Sequence, residues 1–251
     1  MSNQTISNIL DKPVLWAIPE DVTSAGEITL KAKALWQRLL DIEQRFDDIR
    51  FATSLAAEDM VLTDAIAKSK AKIQLFTLAT GRLHQETIDM VKTAESHYGI
   101  SIAKVYPKDS DVDAFIDQYG LNGFYDGEIP KKSCCAARKI KPLTTVLLGA
   151  DAWITGQRRE QSTTRAELHL EEVDDARGIA KFNPLFDWTE ADIWAYIKHE
   201  NVPIHPLHLK GYPSIGCEPC TRQVKKDEDI RAGRWWWLQS ESKECGLHVN
   251  K

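Results

Sequence analysis

The sequence predicts an α/β fold: a parallel twisted sheet flanked by helices. Three observations predict it. Short apolar runs alternate with helical stretches, the loops after the runs are small, hydroxylated or arginine-rich, and the 251 residues are ordinarily globular, 43% hydrophobic and 27% charged. Strand–helix alternation of this kind favours parallel strands covered on both faces. A chain of this length buries one large core, with or without an appendage.

The elements follow in order. Residues 1–25 show no clear period, and Pro13 and Pro19 suggest a loosely attached N-terminal arm. Leu30, Ala34, Trp36, Leu39, Leu40 and Phe46 then recur at helical spacing, with charges opposite. The apolar runs Ile49–Thr53, Ile73–Leu78, Ser101–Val105 and Ala152–Thr155 read as strands. Helices are expected between them at Asp59–Ala67, Gln85–Tyr98 and Ala136–Leu148. The chain thus divides into the arm (1–25), an α/β domain (26–215) and a C-terminal segment (216–251).

Composition excludes several classes. A net charge of −5 argues against a general nucleic-acid binder. No apolar stretch approaches the roughly 18 residues that read as a membrane span. Met1–Leu10 is polar, without the apolar run of a secretory signal, so a cytoplasmic location is expected. Nothing in the pattern chooses between a monomer and a homo-oligomer.

Ligands of open parallel sheets bind at the carboxyl ends of the strands, and those loops carry telling residues. The first is Thr53-Ser54-Leu55-Ala56-Ala57-Glu58-Asp59, hydroxyls and small residues entering a helix. Such a turn can cradle an anion, although Ser or Thr there is more often a simple cap. The second is Ala79-Thr80-Gly81-Arg82-Leu83-His84, a turn able to approach a nucleotide. The fourth, Thr155 to Arg165, holds Arg158, Arg159 and Arg165. Guanidinium forks match phosphate and sulfate oxygens, and the alternative is a solvated surface loop.

Five cysteines carry the chemistry. Cys134 and Cys135 are adjacent, Cys217 and Cys220 form a C-x-x-C, and Cys245 stands alone. Adjacent cysteines place two sulfurs poorly around one zinc ion, whose paired ligands are usually two to four residues apart. Neighbouring thiolates can each take a different iron of an iron–sulfur cluster. Cluster, zinc and unligated thiols all remain open on spacing alone. Cys245 sits in a polar, glycine-flanked tail with Arg231, Arg234 and His248 in the same segment, groups that can stabilise a nucleophilic thiolate. The three tryptophans Trp235 to Trp237 read as packing anchors.

Taken together, Ser133-Cys134-Cys135 with Arg138-Lys139, Gly216-Cys217-x-x-Cys220, Arg-x-x-Arg-Trp-Trp and the terminal Glu-Cys-Gly-Leu-His resemble the assimilatory adenylylsulfate (APS) reductases. The resemblance runs from about Phe51 to His248 and implies an adenine-nucleotide alpha-hydrolase-like (PP-loop type) fold with a mobile C-terminal tail. It implies one 4Fe–4S cluster per subunit and conversion of APS to sulfite and AMP with electrons from thioredoxin. By matching motif, Cys134, Cys135, Cys217 and Cys220 ligate the cluster, and Cys245 is the nucleophile. Lys139 lies between cluster and substrate. Arg231, Arg234 and His248 match substrate-facing positions near the sulfate, Arg158 and Arg159 a phosphosulfate-contacting loop, and the segments beginning at Ser54 and Thr80 (Thr80, Gly81, Arg82) the phosphate- and ribose-facing loops. Relatives that reduce 3′-phospho-APS (PAPS) typically lack the four cluster cysteines, so their presence favours APS. The chain departs from the pattern at Ala56, where glycine is common, and at Ala79, where aspartate is common. An S-sulfonated Cys245 follows from thiolate attack on the phosphosulfate sulfur. That attack needs no electron from iron, so the cluster is expected to act electrostatically and structurally. The rivals are PAPS or dual APS/PAPS reduction, RNA thiolation by a PP-loop enzyme, and a non-catalytic zinc-stabilised binding module.

Overall fold

In α1 (Ala25–Glu43) the side chains of Ile28, Ala32, Leu35, Leu39 and Ile42 recur at alternating steps of four and three, and all are buried. The helix is where the sequence places it, but its buried face is turned: Leu30 is 69% exposed. The computed structural model describes residues 13–20, 22–162 and 165–238. Its remaining helices are α2 (Ala57–Ser69), α3 (Gln85–Tyr98), α4 (Asp109–Tyr119), α5 (Glu128–Cys135), α6 (Lys141–Val146) and α7 (Glu190–Glu200).

The strands are β1 (Ile49–Ala52), β2 (Gln74–Leu78), β3 (Ile102–Val105), β4 (Ala152–Ile154), β5 (Glu171–Asp174) and β6 (Ile179–Phe182). They form one sheet in the order β3-β2-β1-β4-β6-β5. All pairings are parallel except the edge hairpin β5–β6. Side chains alternate between faces along each strand, and this decides the layers. Leu75 and Ile154 join the main core with α1, α2 and α7, whereas Phe76 and Trp153 pack with Leu143 and Leu147 on the opposite face. Both faces are therefore covered, as a buried parallel sheet requires. The four expected strands and their parallel sheet are present.

Three features differ from the sequence expectation. The N-terminal segment is docked over its described residues: Leu15 bridges Lys225, the Trp16 N–H donates to the Val224 carbonyl at 2.9 Å, and Trp16 packs 6.0 Å from Trp194. The hairpin β5–β6 was not anticipated, because Glu171-Glu172-Val173-Asp174 has no apolar run. It is held by pairing and by ion pairs to Arg45 and Lys181. The helix expected at Ala136–Leu148 begins earlier, at Glu128, and so contains Cys134 and Cys135. It widens to a π turn over Ala136–Ile140. Pro142 lacks the N–H that would return to Arg138, which explains a slipped hydrogen-bond ladder just ahead of it.

Candidate active site

The strand order reverses between β1 and β4, and a cleft of about 250 Å³ opens at the carboxyl ends of β1, β2 and β4. That is where open α/β sheets bind ligands. Lys139, Arg165, Arg231 and Arg234 line it, with the acids Glu58 and Asp59.

The β1–α2 turn is tightly self-bonded. Leu55 adopts a left-handed conformation at φ +64°. The Ser54 N–H and Oγ–H both donate to Asp59 Oδ2, at 2.5 and 2.6 Å. The Ala57 N–H donates to His208 Nε2 at 3.1 Å, so His208 is the tautomer whose Nδ1–H donates to the Tyr212 carbonyl at 2.8 Å. Burial holds His208 below the ordinary imidazole range against that carbonyl bond, keeping it neutral. Burial pushes Asp59 up to about 6, against the Ser54 hydrogen bonds and with some help from Glu58. Burial would raise Glu58 too, but the Arg158 charge and hydrogen bonds from Gln161 and Arg158 overcome it, and Glu58 lies below the usual carboxylate range.

The β2 turn serves two neighbours. Gly81 has φ +72°, and a Cβ there would meet Arg138 Nη1 at 3.3 Å. Arg138 donates to the Thr80 carbonyl at 2.9 Å, and Thr80 Oγ1 lies 3.3 Å from Cys217 Sγ. Leu83 bridges Cys217, which ties this turn to the C-x-x-C loop. Arg82 stacks over Phe124 at 5.3 Å, bonds Asn122 and faces the cysteines rather than the cleft.

The β4 loop corrects the sequence reading. Arg158 is buried and committed to Glu58 at 2.9 Å, Glu160 at 3.0 Å and the Trp188 carbonyl. Arg159 donates to the Leu168 carbonyl and stacks on Phe186 at 4.7 Å. Neither reaches the cleft, and the arginine of this loop that does is Arg165. Arg231 and Arg234 line the cleft; Arg234 is anchored on the Ile215 carbonyl and stacks on Trp235 at 4.6 Å.

Beside the cleft is a second, smaller void of about 20 Å³, lined by Cys134, Cys135, Cys217 and Cys220 with Arg82, Arg138 and Lys139. None of the four is in a disulfide. Burial, with Cys217 close by, pushes Cys220 up to about 12, and burial raises Cys134 against the Arg138 charge. Four sulfurs so confined need a cationic centre to be held as thiolates. Among the described residues no three His, Cys, Asp or Glu side chains form a group suited to a single metal ion. Lys139 and Trp235 line both cavities and form the partition between them. Trp235 is buried at φ +41°, with Lys131 over its ring at 4.3 Å. Cys245 and His248 lie outside the described residues.

Residues 48–223 match the model of the phosphoadenosine phosphosulfate reductase domain. The chain belongs to that family. It is 54% identical over 223 residues to the adenosine 5′-phosphosulfate reductase of Burkholderia cepacia, covering 89% of each chain. It is 51% identical to the enzyme of that name from Neisseria meningitidis serogroup B, covering 95% of this chain and 98% of the other. Among solved structures, a phosphoadenylyl-sulfate reductase from Candida auris, in a phosphate complex, aligns with 82% of this chain and 100% of its own at TM-score 0.65 and 25% identity. Yeast FAD synthetase shares the fold, at TM-score 0.56 and 16% identity. No helix among the described residues is long and apolar enough to cross a membrane. Within this family fold, the residues missed by sequence reasoning are Asp59 and His208, while Arg165 was read only as one of three loop arginines. Asp59 sits inside a loop singled out above; His208 carries no local signal, because only the tertiary fold brings it to α2.

Proposed function

We propose that the protein is a cytoplasmic enzyme of assimilatory sulfate reduction that converts APS to sulfite and AMP at the expense of thioredoxin. The carrying observation is the pairing of a cationic cleft at the strand ends with a four-cysteine void across one wall of Lys139 and Trp235. The relatives named for APS reduction support the substrate.

The four cysteines fit a 4Fe–4S cluster by donor set: four thiols, none in a disulfide, around one void flanked by Arg82, Arg138 and Lys139. When bound, the cluster supplies a buried charge centre and a cross-link between α5 and the C-x-x-C loop. Arg165, Arg231 and Arg234 neutralise the phosphosulfate, and Lys139 adds charge from the partition side. The Cys245 thiolate attacks the sulfur of the phosphosulfate. The S–O bond breaks, AMP leaves with the electron pair, and Cys245 becomes an S-sulfocysteine. A thioredoxin thiolate then attacks the Cys245 sulfur and expels sulfite, which carries off two electrons. The second thioredoxin thiol resolves the mixed disulfide and restores Cys245.

Mass spectrometry after mixing the protein with APS alone tests the scheme. The adduct of one SO3 group appears on Cys245 and is absent from Cys245→Ser; an adduct on another residue defeats the assignment. Comparing sulfite release from APS and PAPS, with iron and acid-labile sulfide measured on the same sample, separates the nucleotide preference from the cluster.

A further inference from the structure

The β1–α2 turn should offer its donors to the phosphate of a nucleotide, since a helix N-terminus at a strand end is an anion site. In this structure a carboxylate already holds them. Ser54 N–H and Oγ–H both go to Asp59 Oδ2, the Leu55 N–H goes to Thr53 Oγ1 and the Ala57 N–H to His208. The other oxygen of Asp59 is pressed against the end of β4: a Cβ on Gly156 would lie 2.1 Å from Asp59 Oδ1. Asp59 therefore spans β1 and β4 at the point where the strand order reverses.

Its charge is out of place there. Four cations line the cleft and suit an anion, and of the two acids Glu58 is neutralised by Arg158. No ion pair is formed by Asp59 among the described residues. The groups that face it are Ser54 from the β1 turn, Glu58 from its own helix, Arg158 behind Glu58, Gly156 and Gln157 from the loop after β4, and His208 across the Ala57 amide. An anionic phosphate that takes the Ser54 donors must displace a carboxylate of the same sign, and like charges at one site force one of them to protonate.

We propose that Asp59 is a proton-coupled positioning residue: the phosphate of the incoming nucleotide takes the two Ser54 donors, and the displaced Asp59 carboxylate takes one proton from solvent. This rests on the sulfonucleotide reading above. The electron pairs stay where they are; one hydrogen-bond set is exchanged and one O–H bond forms. The carboxyl is poised for this, since burial, with help from Glu58, brings it to about 6 even against the Ser54 hydrogen bonds. Substrate binding raises that value further, so affinity increases as the pH falls and levels off below about 6.

The experiment is calorimetric titration of the full-length Cys245→Ser protein with APS, kept anaerobic, in buffers of different ionisation enthalpy across neutral pH. The phosphosulfate anhydride does not itself titrate there, so protons counted belong to the protein. The expected result is uptake of about one proton per APS at mildly alkaline pH, with log Kd changing by about one per pH unit and flattening on the acid side. Adding Asp59→Asn should leave APS binding at least as tight at alkaline pH, remove the uptake and flatten the profile. Binding without proton uptake in the unsubstituted carboxylate protein overturns the proposal while leaving the function intact. Uptake that persists in Asp59→Asn overturns it in favour of His208, and loss of APS affinity in that variant overturns it in favour of a direct ligand role. Should Asp59→Asn fail to fold, the proton count and pH slope with Asp59 present decide alone. Failure of the Asp59-bearing protein to bind APS at all defeats the sulfonucleotide reading and, with it, this proposal.

Discussion

Replacing Arg158 by methionine separates two roles that an arginine in this loop could have. In the structure its side chain is 3% exposed and pairs with Glu58, whose side chain is 18% exposed. Removing one partner of a buried pair typically costs about 3–5 kcal/mol because the other charge stays behind. Some water reaches Glu58, which places the cost near the lower end. The contact to half-exposed Glu160 adds less than about 1 kcal/mol, and loss of the hydrogen bond to the Trp188 carbonyl adds about 1 kcal/mol. The expected loss is about 4 kcal/mol in all, a large share of the roughly 5–15 kcal/mol that holds a domain together. Urea unfolding followed by tryptophan fluorescence under anaerobic conditions reads it. The sign of the pH dependence is fixed. Glu58 titrates below its ordinary value in the folded protein, so the pair contributes above the unfolded carboxylate pKa and is lost as pH falls through the folded one. The Arg158→Met deficit is therefore largest near neutral pH and shrinks in acid. The double variant Glu58→Gln/Arg158→Met removes the stranded charge and should regain at least half of the loss, with APS affinity within about threefold of the parent, about 0.6 kcal/mol. Loss of a charged hydrogen bond to substrate would cost about 1.5–3 kcal/mol instead. A double variant that is stable yet binds APS ten or more times more weakly, by about 1.4 kcal/mol, refutes the structural role and restores Arg158 to the substrate.

Three further outcomes are expected. Arg165→Ala should weaken APS binding about 10-fold or more, the scale of one charged hydrogen bond, while Arg159→Ala, which removes a contact outside the cleft, changes it less than about twofold; equal effects in a binding assay would contradict the loop geometry. Trp16→Ala should cost about 3 kcal/mol in urea unfolding, the low end for a large aromatic in a core, whereas a loosely attached arm would give less than about 0.5 kcal/mol. His205 is buried, and burial, with His208 adding to it, holds it down to about 4 from an ordinary 6.5, so the unfolded chain binds the proton more tightly. Stability is full above about 6.5 and falls as the pH drops toward about 4, by about 3 kcal/mol in the limit; His205→Asn, whose amide oxygen can still accept from the Leu207 N–H, should flatten that acid limb.

What was legible in the sequence was whatever rests on local pattern. Strands β2 and β4 carry consecutive buried apolar residues, and β1 and β3 each keep a short largely apolar run between helical stretches, a pattern that announces itself. Strand β5 is Glu171-Glu172-Val173-Asp174, an edge with no apolar run, held by pairing to β6 and by ion pairs to Lys181 and the distant Arg45, so hydrophobic pattern does not reveal it. The face of α1 was misread because two apolar series overlap in it. Only contact with α2 and α7 selects the one through Ile28, Leu35 and Leu39. The cysteine motifs did foretell one assembly, since C-x-x-C and Cys-Cys turn up on a single void. The arginines of the β4 loop were told apart only by the fold. Arg158, Arg159 and Arg165 are chemically equivalent in a string, and which one meets the cleft depends on where Glu58 and Phe186 stand.

The position of Lys139 shows how one segment serves two sites. The helix that carries Cys134 and Cys135 widens to a π turn directly after them, and Lys139 falls within that turn. A π turn advances the chain less per residue about its axis than an α turn and is frequent where side chains must be aimed at a function. Here it brings Arg138 to the Thr80 carbonyl and Lys139 to the partition, so neighbouring cations address the β2 turn and the wall between cleft and cysteines. A cation in the partition interacts with charge on either side of it, and a low-dielectric wall strengthens both interactions relative to water. Under the proposed function, substrate anion and thiolate centre would share this one counter-charge and be coupled through it without touching. Moving that charge by one helical position would weaken both at once, which a lysine attached only to the cysteine void would not do.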